Sequence, residues 1–227
     1  MNKLLAENVL KFHGKQKILD NISINCNSGE IVSLFGANGS GKSTLLEIIF
    51  GSIHANNADI IINDIKIKNT DLIEFKKIAY LPQKSFLSKS SKVCEIIKLF
   101  SQNIEIQDKI FYSPRIANIE NKNTGNLSLG ELRYFEFLLI SHLDRQFLLL
   151  DEPFSMIEPI YIEIIKDRLN LIKKERGIIL TDHYYNHVLE ITDRKLLIKD
   201  KKIIVINDNE ELVKYKYIND NYIIKNK

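Results

Sequence analysis

The sequence predicts an α/β fold with a mostly parallel sheet, an antiparallel β subdomain and a small inserted helical subdomain. Three observations lead there. An apolar run at residues 31–35 passes through a glycine-rich turn into helical spacing at 44–50. A second apolar run, Phe147-Leu148-Leu149-Leu150, ends on Asp151 and Glu152, as a buried parallel strand does at its ligand-facing end. Beyond it, strand-like and helix-like stretches alternate.

Taken in order, residues 4–12, 22–26 and 31–35 are β-rich, with a turn at Asn27, Ser28 and Gly29. Residues 44–50 place Leu45, Leu46, Ile48 and Ile49 at helical spacing and stop at Gly51. Strands at 60–62 and 65–67 flank the hairpin turn Asn63-Asp64, and 78–81 is a further strand. From about 84 to 127, within an approximate subdomain of 84–133, the chain turns rich in Lys, Ser, Asn and Gln, with a helical stretch near 93–100 and a polar connection at 121–126. This is the inserted helical subdomain within a single domain spanning 1–227. A strand at 147–150, a helix at 160–174, a strand at 178–180 and a helix from about 184 to 191 follow. Strands at 196–198 and 203–206, joined by a turn at 199–202, close the pattern. The tail, 215–227, mixes Lys, Asn and Tyr and reads as solvated.

Composition sets limits on partners. An apolar share of 44% with 27% charged residues is ordinary for a soluble globular chain. The net charge of +3, from 32 basic and 29 acidic residues, provides no general footprint for nucleic acid, and no nucleic-acid partner is expected. Cys26 and Cys94 form no CxxC pair, which points to a reducing compartment. No apolar stretch approaches the roughly 18 residues of a membrane-spanning helix, and the first residues break too early for a secretory signal. A cytoplasmic location is expected, with any membrane role reached through a separate partner.

The chemistry starts at Gly36-Ala37-Asn38-Gly39-Ser40-Gly41-Lys42-Ser43-Thr44, which satisfies GxxxxGK[ST] between a strand and a helix. Glycines let the backbone curl so that its N–H groups converge on phosphate oxygens, and the following helix adds its positive end. Lys42 is expected to reach the β- and γ-phosphates, and the Ser43 hydroxyl to ligate Mg²⁺. At the other strand end, Asp151 is placed to hold the Mg²⁺ shell and Glu152 to polarise an attacking water, a pairing that favours hydrolysis over binding alone.

Three further motifs, in this order and spacing, resemble those of the ATP-binding cassette (ABC) ATPases. Tyr80-Leu81-Pro82-Gln83 is similar to their Q-loop, Leu127-Ser128-Leu129-Gly130-Glu131 to their LSGGQ signature, and Asp182-His183 to their switch histidine. The resemblance covers about residues 3–206. It implies a P-loop NTPase core that binds ATP and Mg²⁺, with Gln83 sensing Mg²⁺ and the attacking water and His183 contacting the γ-phosphate. Ser128 and Gly130 would contact the ATP held by a second ABC subunit. The same resemblance implies a dimer with a second ABC ATPase subunit, an identical copy being expected and a paralogue staying open, that drives an integral membrane transporter subunit from the inner face of the cell membrane. A soluble cassette ATPase of a non-transport complex, or a weakly hydrolysing regulatory module, stays open as an alternative.

For the adenine ring, spacing within the family selects His13, whereas Phe12 is the better stacking platform by chemistry. Ser128 also suits a helix N-cap, and His183 and His187 stand at a spacing able to bind zinc, with no third ligand evident. Departures from the family pattern carry information too. Leu129 replaces the first signature glycine, Glu131 the glutamine, and Glu158 the usual D-loop aspartate. Slower or less tightly coupled hydrolysis, with dimerisation retained, is expected from them.

Overall fold

The computed structural model describes residues 1–218. Strands β1 (Lys3–His13), β2 (Gln16–Asn27), β4 (Asn57–Ile62) and β5 (Ile65–Ile67) form an antiparallel sheet in the order β2-β1-β4-β5. Strands β3 (Ile31–Gly36), β6 (Ile78–Leu81), β7 (Phe147–Asp151), β8 (Gly177–Thr181), β9 (Arg194–Lys199) and β10 (Lys202–Ile206) form a second sheet, ordered β10-β9-β3-β8-β7-β6. Every pairing in it is parallel except the β9–β10 hairpin. β3, β7 and β8 are buried at every position, as strands covered on both faces must be.

Helix α1 (Lys42–Phe50) packs between the sheets. Its Leu45, Leu46, Ile48 and Ile49 share one apolar core with Leu4 and Ile22 of the small sheet and Leu34 and Ile179 of the large one. Gly51 ends it in the left-handed region, at φ 93°. The inserted segment carries α2 (Val93–Phe100) and α3 (Ile104–Phe111), and α4 (Leu129–Ser141) leads out of it. α4 joins α5 (Pro159–Ile172) and α6 (Tyr185–Ile191) in a second core around Phe135, Phe137, Ile165 and Val188. No helix among the described residues is long and apolar enough to cross a membrane.

Three elements depart from the sequence reading, the first being α3, at 104–111, where no helix was expected. β2 begins at Gln16, not near 22, because it continues through a bulge where Asn8 and Asn21 take positive φ, 55° and 52°. Asparagine tolerates that region, but its polarity hides the strand from propensity. The chain also forms α7 (Asn209–Lys214), capped by Asp208, and then folds back rather than running into solvent. Ile218 is 5% exposed and Tyr217 packs on Phe35, so 215–218 are no solvated tail. Residues 219–227 of the predicted tail lie outside the described residues.

Candidate active site

Parallel register aligns three strand ends at one edge. Asp151 faces Thr181 across β7 and β8, while β3 runs beside β8 into Gly36. Ligand crevices lie at such carboxyl ends. A cavity of about 710 Å³ opens there, lined by Asn38, Gly39, Gly41, Lys42, Ser43 and Thr44 of the loop. Gln83, Glu152 and His183 line the same cavity, although the chain separates them widely.

The loop is held by its own hydrogen bonds. Ser40 N–H donates to the Ala37 carbonyl at 3.1 Å, and the Lys42 ammonium donates to the Gly36 and Ala37 carbonyls at 2.7 and 3.1 Å. Gly41 sits at φ 102°, and a Cβ there would come within 2.6 Å of the Leu19 side chain, so glycine alone fits. Burial lowers the Lys42 pKa, with Glu152 and Asp151 opposing the shift. The Ser40 hydroxyl is buried against Gly36 without a hydrogen-bond partner and does not line the cavity.

Across the cavity, Glu152 occupies the left-handed region at φ 59°, unusual for a non-glycine residue. Its N–H donates to the Thr181 carbonyl at 2.8 Å. One carboxylate oxygen lies 3.0 Å from His183 Nε2, and the other accepts from the Ser155 hydroxyl at 3.0 Å. Asp151 is 1% exposed and accepts from the Thr181 hydroxyl at 2.7 Å. Ser43, Asp151 and Gln83 offer hydroxyl, carboxylate and amide oxygens, the hard donor set that suits Mg²⁺.

Sequence reasoning missed the pair that ties this site together. Arg133 of α4 donates to the carbonyls of Pro82 (2.6 Å), Glu152 (3.2 and 3.3 Å) and Asp151. Glu136, one helical turn on, lies 3.5 Å from Arg133 and accepts from the Ser85 hydroxyl at 2.5 Å and the Phe86 N–H at 3.2 Å. Both are buried, at 6% and 1% exposure. Two charges inside the otherwise apolar and aromatic stretch 132–140 are the signal that marks them.

The aromatic candidates separate. His13 lines the cavity with Lys11, Ile18 and Ile53, whereas Phe12 does not. Lys11 and His13 face the cavity and Phe12 between them does not, at a point where the β1–β2 register shifts. Ser128 and Gly130 do not line the cavity either. Ser128 caps α4 in a capping box with Glu131, at 3.1 and 2.8 Å. A Cβ on Gly130 would lie 3.2 Å from Ile157 Cα, so the signature packs closely on the D-loop backbone. His187 parts from His183. It groups with Glu163 and Glu190, whose charges the Lys166 ammonium already meets.

Asp182 links the turns beyond β7 and β8, accepting from the Phe154 N–H at 2.7 Å and the Tyr184 N–H at 2.9 Å. Burial raises its pKa from 3.8 to about 6, against the pull of those hydrogen bonds. A raised carboxyl pKa means that ionisation costs native stability as pH climbs from about 4 through 6, on the order of 3 kcal/mol in all. Asp182→Asn removes that titration. The Tm difference between Asp182→Asn and wild type should therefore widen in favour of the variant over that interval and level off above it. A difference that stays flat would show that Asp182 does not titrate there.

Comparison with known proteins agrees with this geometry. The ABC transporter family profile matches residues 19–155. An uncharacterised ABC transporter ATP-binding protein of Methanocaldococcus jannaschii is 28% identical, over 98% of this chain and 86% of its own length. The lipopolysaccharide export system ATP-binding protein LptB of Haemophilus influenzae is 29% identical, over 98% of this chain and 99% of its own. Among solved structures, an ATP-binding subunit of an ABC transporter superposes with TM-score 0.82 at 20% identity, covering 94% of this chain and 93% of that one. A nucleotide-free ATP-binding cassette gives 0.80 at 24%, covering 95% and 94%. At these identities the two structures speak for the fold.

Proposed function

The chain belongs to the ABC transporter family as an ATP-binding, ATP-hydrolysing subunit, and we propose that two copies close around two ATP molecules to drive a separate membrane subunit. One observation carries this reading. Lys42, Gln83, Glu152 and His183 share a single cavity, while the signature residues Ser128 and Gly130 stand outside it. A second copy is then needed to complete the site.

On this reading, Lys42, Ser43 and the loop amides hold the β- and γ-phosphates, and His13 meets the adenine. Ser128 and Gly130 of the second copy cover the γ-phosphate and complete its charge-stabilising shell. Glu152 takes the proton of the attacking water as the new oxygen–phosphorus bond forms and ADP leaves. His183, whose Nε2 lies 3.0 Å from the Glu152 carboxylate, contacts the γ-phosphate. Ser43, Asp151 and Gln83 would hold Mg²⁺, which would supply neutralisation of phosphate charge. Loss of the bridging γ-phosphate then lets the two halves part, a ligand-driven two-state switch. Leu129 is 64% exposed beside Ser128, on the surface the second copy would approach, which supports slow turnover. The membrane partner sets the location, at the inner face of the cell membrane.

Ser128→Arg tests the reading. The variant is expected to bind a fluorescent ATP analogue within about twofold of wild type, because its own cavity is untouched. With magnesium and a non-hydrolysable ATP analogue, size-exclusion chromatography should show dimer for wild type and monomer for the variant. A variant that dimerises normally, or a monomer that loses nucleotide affinity, would refute a signature acting across the interface.

A further inference from the structure

The family match ends at residue 155, yet the last described residues return to the phosphate loop. Asp208 caps α7, and the chain then reverses through Lys216, at φ 60°. The Lys216 and Tyr217 N–H groups donate to the Val213 and Leu212 carbonyls at 2.7 and 2.8 Å, closing the helix end. Leu212 and Ile218 are buried, at 0% and 5% exposure, and the Lys199 ammonium lies 5.1 Å from the Tyr215 ring centroid. These contacts fix the position of Tyr217. Its ring meets Phe35 at 5.4 Å between centroids, tilted by 58°. Phe35 immediately precedes Gly36, the first residue of the loop.

We infer that the C-terminal segment is a positioning element for the phosphate loop, in which the Tyr217 hydroxyl accepts from the Gly36 N–H and fixes the loop's first peptide. The next peptide is already engaged, since the Gly36 carbonyl accepts from Lys42 at 2.7 Å. Tyr217 therefore helps set where Lys42 starts from. Burial pushes the phenol up to about 12 despite the Gly36 contact, and Asp182 and Glu152 lie close enough to add to the rise. One tyrosine thus stands beside the loop, the turn that carries His183 and the end of β7. Loop geometry of this kind is what phosphoryl transfer depends on, since positioning supplies much of its rate.

The test is Tyr217→Phe, which keeps the ring packing and removes only the hydroxyl. Hydrogen–deuterium exchange of peptides spanning 35–41 is expected to rise, with Tm within about 3 °C of wild type. ATP turnover should fall about threefold to tenfold, the effect of one hydrogen bond on the arrangement of the loop. Wild-type exchange at 35–41, or wild-type turnover, would overturn the inference. The turnover arm rests on the hydrolysis reading. If wild type itself releases no phosphate, that reading fails, and the exchange arm alone decides the role of Tyr217.

Discussion

Glu152→Gln is expected to lower ATP turnover at least about 100-fold while leaving nucleotide affinity intact. General-base catalysis is worth roughly 10² to 10⁴ in rate, and the amide has no basic oxygen to take the water's proton. The shape is nearly unchanged. Gln keeps an oxygen able to accept from the Ser155 hydroxyl, now at 3.0 Å, and suits the φ of 59° no worse than Glu. Phosphate release measures the first effect and titration with a fluorescent ATP analogue the second. Because the γ-phosphate then persists, the variant should also run as a dimer with ATP and magnesium on size-exclusion chromatography. Turnover above a tenth of wild type would remove Glu152 from the role of base. A variant that binds ATP but stays monomeric would show that the altered signature does not form a working half-site between identical copies.

The second large effect concerns stability. Arg133→Met strands the buried Glu136 carboxylate and takes the donor from the carbonyls of Pro82, Asp151 and Glu152. Breaking a buried ion pair from one side costs about 3–5 kcal/mol. For a domain of this size that lowers Tm by roughly 10 °C. Removing both charges is different, since similar apolar groups often replace a buried pair at little cost. Arg133→Met/Glu136→Met should therefore regain much of the lost Tm. Its turnover should remain low, because Pro82, beside Gln83, is no longer tied to the main chain of Glu152. Calorimetry and phosphate release separate the two. A double variant no more stable than Arg133→Met would mean that the charges do not act as a pair.

Much of this was legible in the sequence, and for physical reasons. Strands buried on both faces are predominantly apolar, as the 147–150 run of β7 is, so their carboxyl ends stand out where charge resumes at Asp151. The phosphate loop is legible because glycine, lysine and serine have separate tasks at fixed spacing. What escaped depends on three dimensions. The bulge at Asn8 and Asn21 is paired across strands. Arg133 and Glu136 matter through partners at Pro82, Ser85 and Glu152, which no local pattern joins to them. Phe12 and His13 differ in which of them faces the cavity, which needs the strand's orientation as well as its chemistry. Tyr217 was hidden for a related reason: a six-residue helix gives little periodicity, and the chain's return to Phe35 is entirely tertiary.

Lys42 gives the loop a form of selectivity that needs no contact with the base. Two of its three ammonium donors are already taken by the carbonyls of Gly36 and Ala37, so a ligand must compete with two neighbours for it. A nucleoside or monophosphate brings nothing to the place where those carbonyls stand. A polyphosphate brings several oxygens with full negative charge, enough to draw the ammonium across. On this reading the length of the phosphate chain is sensed through an exchange of partners at Lys42.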